Sequence, residues 1–352
     1  MDKRNYFLLG ITLLLCTQLT AQVGINTDNS APDSSAMLEI KSTDKGFLLP
    51  RLTTEQFENI QNPANGLMVF CADDNKFYAY IEEGDKWKAL AYEEEKIIPI
   101  PTMGYSTPTS YPNMTAIWAD EFNDSSLDTT KWNYQIGDGC PALCGWGNNE
   151  LQYYKEENTS LQNGCLIIEA KEETEGTSNY TSSRINTQNK FSLNYGRVDI
   201  RAALPVGKGI WPALWMLGDN ISTVGWPQCG EIDIMEMIGG NGQENTVHGT
   251  THWWDNEFPA NYGGSYTLPN GIFNDEFHVF TITWDAQFIR WYVDDVQFHI
   301  IDIALPLLDE LQGDFHFLFN IAVGGNWPGN PDGTTFFPQH LIVDYIRVFQ
   351  DN

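Results

Sequence analysis

The chain has 352 residues, 42% of them hydrophobic and 19% charged, which fits a globular protein and excludes a disordered or membrane-embedded one. Its formal net charge of -28 excludes nucleic acid as a partner, because phosphate backbones are held through Lys and Arg that displace counterions. The same charge disfavours anionic membrane surfaces and costs a neutral polymer nothing.

Residues 1–21 read as a signal peptide. Lys3 and Arg4 give a basic start, Phe7 to Leu15 an apolar run, and Thr20-Ala21 a small-residue cleavage point before Gln22. The run is too short to span a bilayer, so no membrane insertion is expected. Cleavage near Ala21 predicts a secreted protein, extracellular or periplasmic. Cys16 hints at lipid attachment, but Leu15 before it is not the small residue such processing prefers.

Residues 22–92 form a small β-rich N-terminal module of unknown role. Short apolar stretches such as Ala36-Met37-Leu38-Glu39-Ile40 and Leu67-Met68-Val69-Phe70 alternate there with Gly, Asp, Asn and Pro. Residues 93–115 read as a linker: three glutamates are followed by repeated Pro, Ser and Thr, which prevent regular structure.

From residue 116 to 352 the signal is β. Cys165–Ala170, Tyr195–Arg201, His278–Trp284, Ile289–Val293 and Leu341–Val348 mix β-branched and aromatic residues, several in two-residue alternation. Only Ala304 to Gln312 looks helical. Many strands with almost no helix predict an all-β, two-sheet sandwich. After removal of the signal five cysteines remain, an odd number, and Cys140-Pro-Ala-Leu-Cys144 is spaced to close a small loop. Buried or locally bridged structural cysteines are expected, not a zinc site.

The chemistry concentrates in Gly230-Glu231-Ile232-Asp233-Ile234-Met235-Glu236-Met237. Alternation puts Glu231 and Asp233 on one face of a strand, but the next position on that face is Met235. Glu236 joins them only if the strand carries one extra residue, a β-bulge. Carboxylates crowded on one face repel one another unless some stay protonated or a cation binds. Glycoside hydrolysis uses that conflict: one carboxylate attacks the anomeric carbon while a protonated neighbour serves the leaving oxygen, at about 5–5.5 Å separation in retaining enzymes. The plainer readings are an acidic solvent face and a calcium site. Flanking Ile, Met and Gly speak against a simple charged edge.

Glu231-Ile-Asp-Ile-Met-Glu236 resembles the bulged Glu-x-Asp-x-x-Glu signature of family 16 glycoside hydrolases. Trp146-Gly-Asn-Asn-Glu-Leu-Gln-Tyr-Tyr154, Trp211-Pro-Ala-Leu-Trp-Met-Leu217, Gly225-Trp-Pro-Gln-Cys-Gly230 and Gly324-Gly-Asn-Trp-Pro-Gly329 are similar to the laminarinase (endo-β-1,3-glucanase) branch. The resemblance covers about residues 116 to 350. It implies a β-jelly-roll sandwich with a concave substrate cleft, with Glu231 as nucleophile, Glu236 as acid/base, and Asp233 between them tuning their protonation. It further implies Trp211 and Trp215 as the floor under the sugars, Asn149 and Arg184 as hydroxyl-binding residues, His252 near the acid, and Trp226 and Trp327 as walls. Core packing is the plainer role for each tryptophan. Catalysis would need no cofactor. A structural calcium is implied far from the cleft, at Glu121, the backbone of Gly164, and Asp344; oxygen ligands from separate strands suit that ion.

The expected partner is a polysaccharide, β-1,3-glucan of the laminarin type, met by a monomer. Agar, carrageenan and mixed-linkage glucan are the alternatives inside the family, and a non-catalytic glucan-binding protein is the alternative outside it. The bulged motif argues against the mixed-linkage branch, the net charge against sulfated galactans, and the intact acids against a pure binder.

Overall fold

The computed structural model describes residues 22–82, 86–90, 98–306 and 308–352. The expected signal peptide and the start of the expected linker lie outside these residues. The chain divides into two units, the first ending at Ile97 and the second running from Ile98 to Asn352.

In the first unit, Val23–Ile25 pairs in parallel with Leu38–Ile40, and Arg51–Leu52, Met68–Cys71, Phe77–Ile81 and Lys86–Ala89 form a four-stranded sheet. A short helix, Thr54–Glu58, was not anticipated, although its signal is present. Thr53 accepts from the N–H of Gln56 while the Gln56 side chain accepts from the N–H of Thr53, a capping box. The helix lays Phe57 on Val69 and Cys71, a core of three buried residues. The parallel pair contributes nothing to that core: Val23 lies opposite Leu38 and Ile25 opposite Ile40, and all four are exposed.

The second unit is the expected sandwich. Seven strands form its front sheet: β1 (Asn133–Tyr134), β2 (Arg184–Asn186), β3 (Ile210–Gly218), β4 (Glu231–Glu236), β5 (Thr246–Asp255), β6 (Phe258–Thr267) and β7 (Phe315–Val323). Their spatial order is β6-β5-β4-β3-β7-β2-β1. An eight-stranded back sheet contains Gly196–Ala203 and the long strand Gln339–Asp351. Inward positions of both sheets meet in one core. Ile185, Leu214, Met216, Ile232, Phe317 and Phe319 from the front pack against Val198, Ile200, Ile282, Trp291, Val343 and Ile346 from the back. Each such side chain, fully buried, stabilises by roughly 1.5–3 kcal/mol.

Two expectations are corrected. Residues 98–112, read as linker, are bound to the second unit. Ile98 is buried among Cys165, Ile167, Phe277 and Ile342. The backbone N–H of Thr107 donates to the Tyr345 hydroxyl at 2.8 Å, the Tyr111 hydroxyl donates to Asp199 at 2.7 Å, and the carbonyl of Thr107 accepts from Arg347 at 3.0 Å. This extended strap satisfies part of its backbone on side chains of the back sheet and part on the backbone of Phe277, which donates to Met103 and accepts from Tyr105. The helix expected over Ala304–Gln312 is reduced to a 3₁₀ turn at Asp309–Gln312. Pro306 removes a donor and disfavours helix before itself, so only the last turn forms.

Cys140 and Cys144 are joined by a disulfide, and Cys71, Cys165 and Cys229 are buried free thiols.

Candidate active site

The strand β4 carries the extra residue its sequence demanded. Against β3, Trp215 lies opposite Asp233 and Leu214 opposite Met235, leaving Ile234 unmatched. Against β5, Asp233 faces Thr250 and Glu236 faces His248, with the register shifting between them. Ile232, Ile234 and Met235 all enter the core. The three acids are thereby left together on the opposite face. The bulge also frees the carbonyl of Asp233, which accepts from the indole N–H of Trp291 at 2.8 Å. Trp291 reaches it because residue 249 is glycine: a Cβ there would stand 2.4 Å from the Trp291 ring.

Each outer acid has an indole donor. Trp226 donates to Glu231 at 2.9 Å and Trp211 donates to Glu236 at 3.0 Å. Asp233, 2% exposed, has no indole donor, and among the described residues its Oδ2 makes no well-aligned hydrogen bond. His252 approaches from β5, its Nε2 3.2 Å from that oxygen and 3.7 Å from Glu231. All three carboxyls are pushed up to about 8, foremost by burial. The charge of Asp233 raises both glutamates further, and the two indole donors oppose the rise. At neutral pH the trio therefore keeps protons that isolated carboxyls release.

Trp215 donates to Asn320 of β7 at 2.8 Å, and the guanidinium of Arg184 lies over its ring at 4.9 Å. Arg184 also covers Trp146, at 4.7 Å, so it is held between two indoles. Trp146 adopts φ 51°, a left-handed conformation unusual for a bulky side chain. Asn149 donates to Asn326 at 2.8 Å and ties its loop to the one bearing Trp327. Trp327 meets Trp211 edge-on at 5.6 Å and His248 at 5.0 Å. Trp226 and Trp327 are 50% and 42% exposed, which makes them rim residues, not core. Every front-sheet residue expected at the cleft thus falls in one connected cluster. Trp146, Asn320 and Trp291 were missed as members. For Trp291 a signal existed: alternation in Ile289–Val293 points it inward, where an indole N–H requires an acceptor.

The expected calcium ligands are differently engaged. Glu121 receives Arg347 at both carboxylate oxygens, at 2.7 and 2.8 Å, and Asp344 receives Arg201 at 2.7 Å. A cation there would compete with two guanidinium groups, so these carboxylates as arranged do not fit a calcium ion. Among the described residues one group offers clustered ligand atoms, namely Glu231, Asp233 and His252, within 4.8 Å of one another. That group lies in the acid trio itself.

A jelly-roll sandwich aiming paired glutamates and an intervening aspartate from one bulged strand into an indole-lined cleft is the frame of a glycoside hydrolase. The chain belongs to glycosyl hydrolases family 16, which it matches over residues 144–334. It is 40% identical to a β-glucanase of Rhodothermus marinus over 72% of this chain and 91% of that protein. It is 38% identical to glucan endo-1,3-beta-glucosidase A1 of Niallia circulans over 71% of this chain, and spans only 40% of that longer protein. The laminarinase catalytic domain of Thermotoga maritima superposes with a TM-score of 0.64 at 46% identity, covering 68% of this chain and 99% of that one. Residues 24–109 separately match a phage tail like trimerisation region.

Proposed function

We propose that the protein is an exported endo-acting hydrolase of β-1,3-glucan working with retention through a covalent glycosyl-enzyme. The observation that carries this reading is the bulge at Ile234, which sets both glutamates on one face with an indole donor each. A carboxylate of Glu231 attacks the anomeric carbon as Glu236 gives its proton to the departing glycosidic oxygen. Water then attacks the resulting ester, Glu236 takes the proton, and Glu231 leaves as carboxylate. Glu231 works as a carboxylate under the Trp226 donor and beside His252, which both oppose its rise, while Asp233 between the two glutamates raises both. Burial and the charge of Asp233 hold Glu236 protonated for the first step.

The glucan reading over agar or carrageenan is supported by the named activities of the relatives and by the indole-rich rim. Export is supported by the N-terminal composition and by the Cys140–Cys144 disulfide, since such bonds persist in oxidising compartments. A calcium ion would have to displace Arg347 and Arg201, so chelation should leave activity unchanged. In place of the expected monomer we favour a trimer. Among the described residues the exposed Val23, Ile25, Leu38 and Ile40 join no buried cluster, and the region matched by the trimerisation family begins there.

Reducing-sugar release by the purified protein on laminarin, lichenan, agarose and carrageenan tests the activity. Release from laminarin, abolished in Glu231→Gln, is expected. Release from agarose or carrageenan alone would overturn the substrate, and full activity in the variant would overturn the nucleophile.

A further inference from the structure

The front sheet does not end at the cleft. Beyond Arg184 the same face continues along β2 to Asn186, since Ile185 between them points into the core. Asn186 lies opposite Asn133 of β1, the sheet's outermost strand. Together with Tyr134, Gln135, Gln188, Asn189 and Lys190 they line an open cavity of about 320 Å³. Four strand spacings separate β1 from β4, or about 19 Å at roughly 4.8 Å each. The cavity therefore lies on the face of the acids but apart from them.

Apart from Tyr134 and Lys190, its lining is amide. Asn133 donates to Asn186 at 3.1 Å and to the carbonyl of Gln188 at 2.9 Å, and Asn186 accepts from the N–H of Gln188 at 3.0 Å. These bonds fix the orientation of both asparagines and of the turn that follows. The side-chain oxygen of Gln135 is buried without a partner, an acceptor awaiting a donor. Lys190 is the one cation in the lining, and its ammonium is turned onto the carbonyls of Thr129 and Trp132. No carboxylate lines the cavity. An anion would find its only cation already engaged, and a metal ion would find no charged ligand. What remains are neutral donors and acceptors in fixed positions, the chemistry that matches the hydroxyls of an uncharged sugar.

We propose that this cavity is a second carbohydrate-binding site, which holds a distal stretch of a neutral glucan while the acids work on another part of it. The proposal rests on the glucan reading for the identity of the ligand but not for the existence of the site. Two variants avoid the cleft: Gln188→Ala, and Asn189→Asp, which is isosteric and tolerates the same φ of 62°. In native gels containing laminarin, in a Glu231→Gln background, each should raise the retardation dissociation constant about fivefold, the loss of one hydrogen bond. In the active enzyme kcat/KM should fall by a similar factor on laminarin and stay constant on a short laminari-oligosaccharide. Unchanged retardation would overturn the site. An equal fall on the short substrate would also overturn it, by making these residues part of the cleft. Should the Glu231→Gln protein be retarded by agarose and not by laminarin, the substrate reading fails and the same variants test the cavity in agarose.

Discussion

The indole of Trp226 is the donor that favours Glu231 as an anion, and it stands half exposed at the rim. Trp226→Phe keeps an aromatic face, smaller than the indole, and removes the N–H. A hydrogen bond to a charged group contributes about 1.5–3 kcal/mol, so kcat should fall roughly 10- to 100-fold. The acidic limb of the rate profile, set by ionisation of Glu231, should move to higher pH, because the lost donor had been lowering that carboxyl. Steady-state kinetics across pH checks both. Asp233 lends itself to a stability measurement. Burial pushes it from 3.8 to about 8, so between those values the folded chain keeps a proton that the unfolded chain gives up. The stability this contributes is present at low pH and lost as pH rises through that window. Asp233→Asn removes its share of the loss while the two glutamates keep theirs. The variant's Tm should therefore decline less than the wild type's from pH 5 to 8, as thermal melts would show.

The bulge and the strap show what can be read from a sequence at the scale of elements. The bulge was legible because two-residue alternation reaches Met235 where an acid was wanted, and one extra residue is the economical repair. Its consequence for Trp291 was not, since alternation gives the face a side chain occupies and not the atom it meets. The acids themselves, and the indoles around them, were legible by position; the pairing of Trp226 with Glu231 depended on a loop whose path alternation does not describe, and that of Trp211 with Glu236 on the register of β3 against the bulged β4. The strap was misread because Pro, Ser and Thr are equally suited to a free linker and to an extended segment fastened by side chains 88 to 240 positions away. Its fastening is testable. Tyr345→Phe strands the buried Thr107 N–H, which should cost about 1–3 kcal/mol with kcat unchanged, measured by chemical denaturation beside laminarin hydrolysis. Deleting Ile234 is the complementary test. Straight alternation then keeps the three acids on one face, but a buried side chain and the Trp291 contact are lost. The protein should fold with a stability loss of about 2–4 kcal/mol and a large drop in kcat.

At the scale of the molecule, a net charge of -28 per chain opposes the association we favour. Screening weakens that repulsion, so light scattering should report more trimer at 0.5 M salt than at 0.02 M, and Ile25→Lys should shift the mass toward a single chain. Three linked catalytic units would raise the effective concentration of each site on a polymer already held by another, so the trimer should outperform Ile25→Lys on insoluble glucan more than on soluble oligosaccharide. The disulfide between Cys140 and Cys144 has a consequence for where the enzyme acquires its final form. It closes the loop just ahead of Trp146 and Asn149, the residues that brace Arg184 and tie the rim to the Trp327 loop. A chain folded where thiols stay reduced would carry every acid in place and a slack rim, turning over bound substrate normally while capturing it poorly. Maturation would then be a matter of address: the same polypeptide would be a weak scavenger of substrate where thiols stay reduced and a competent one only after meeting an oxidant.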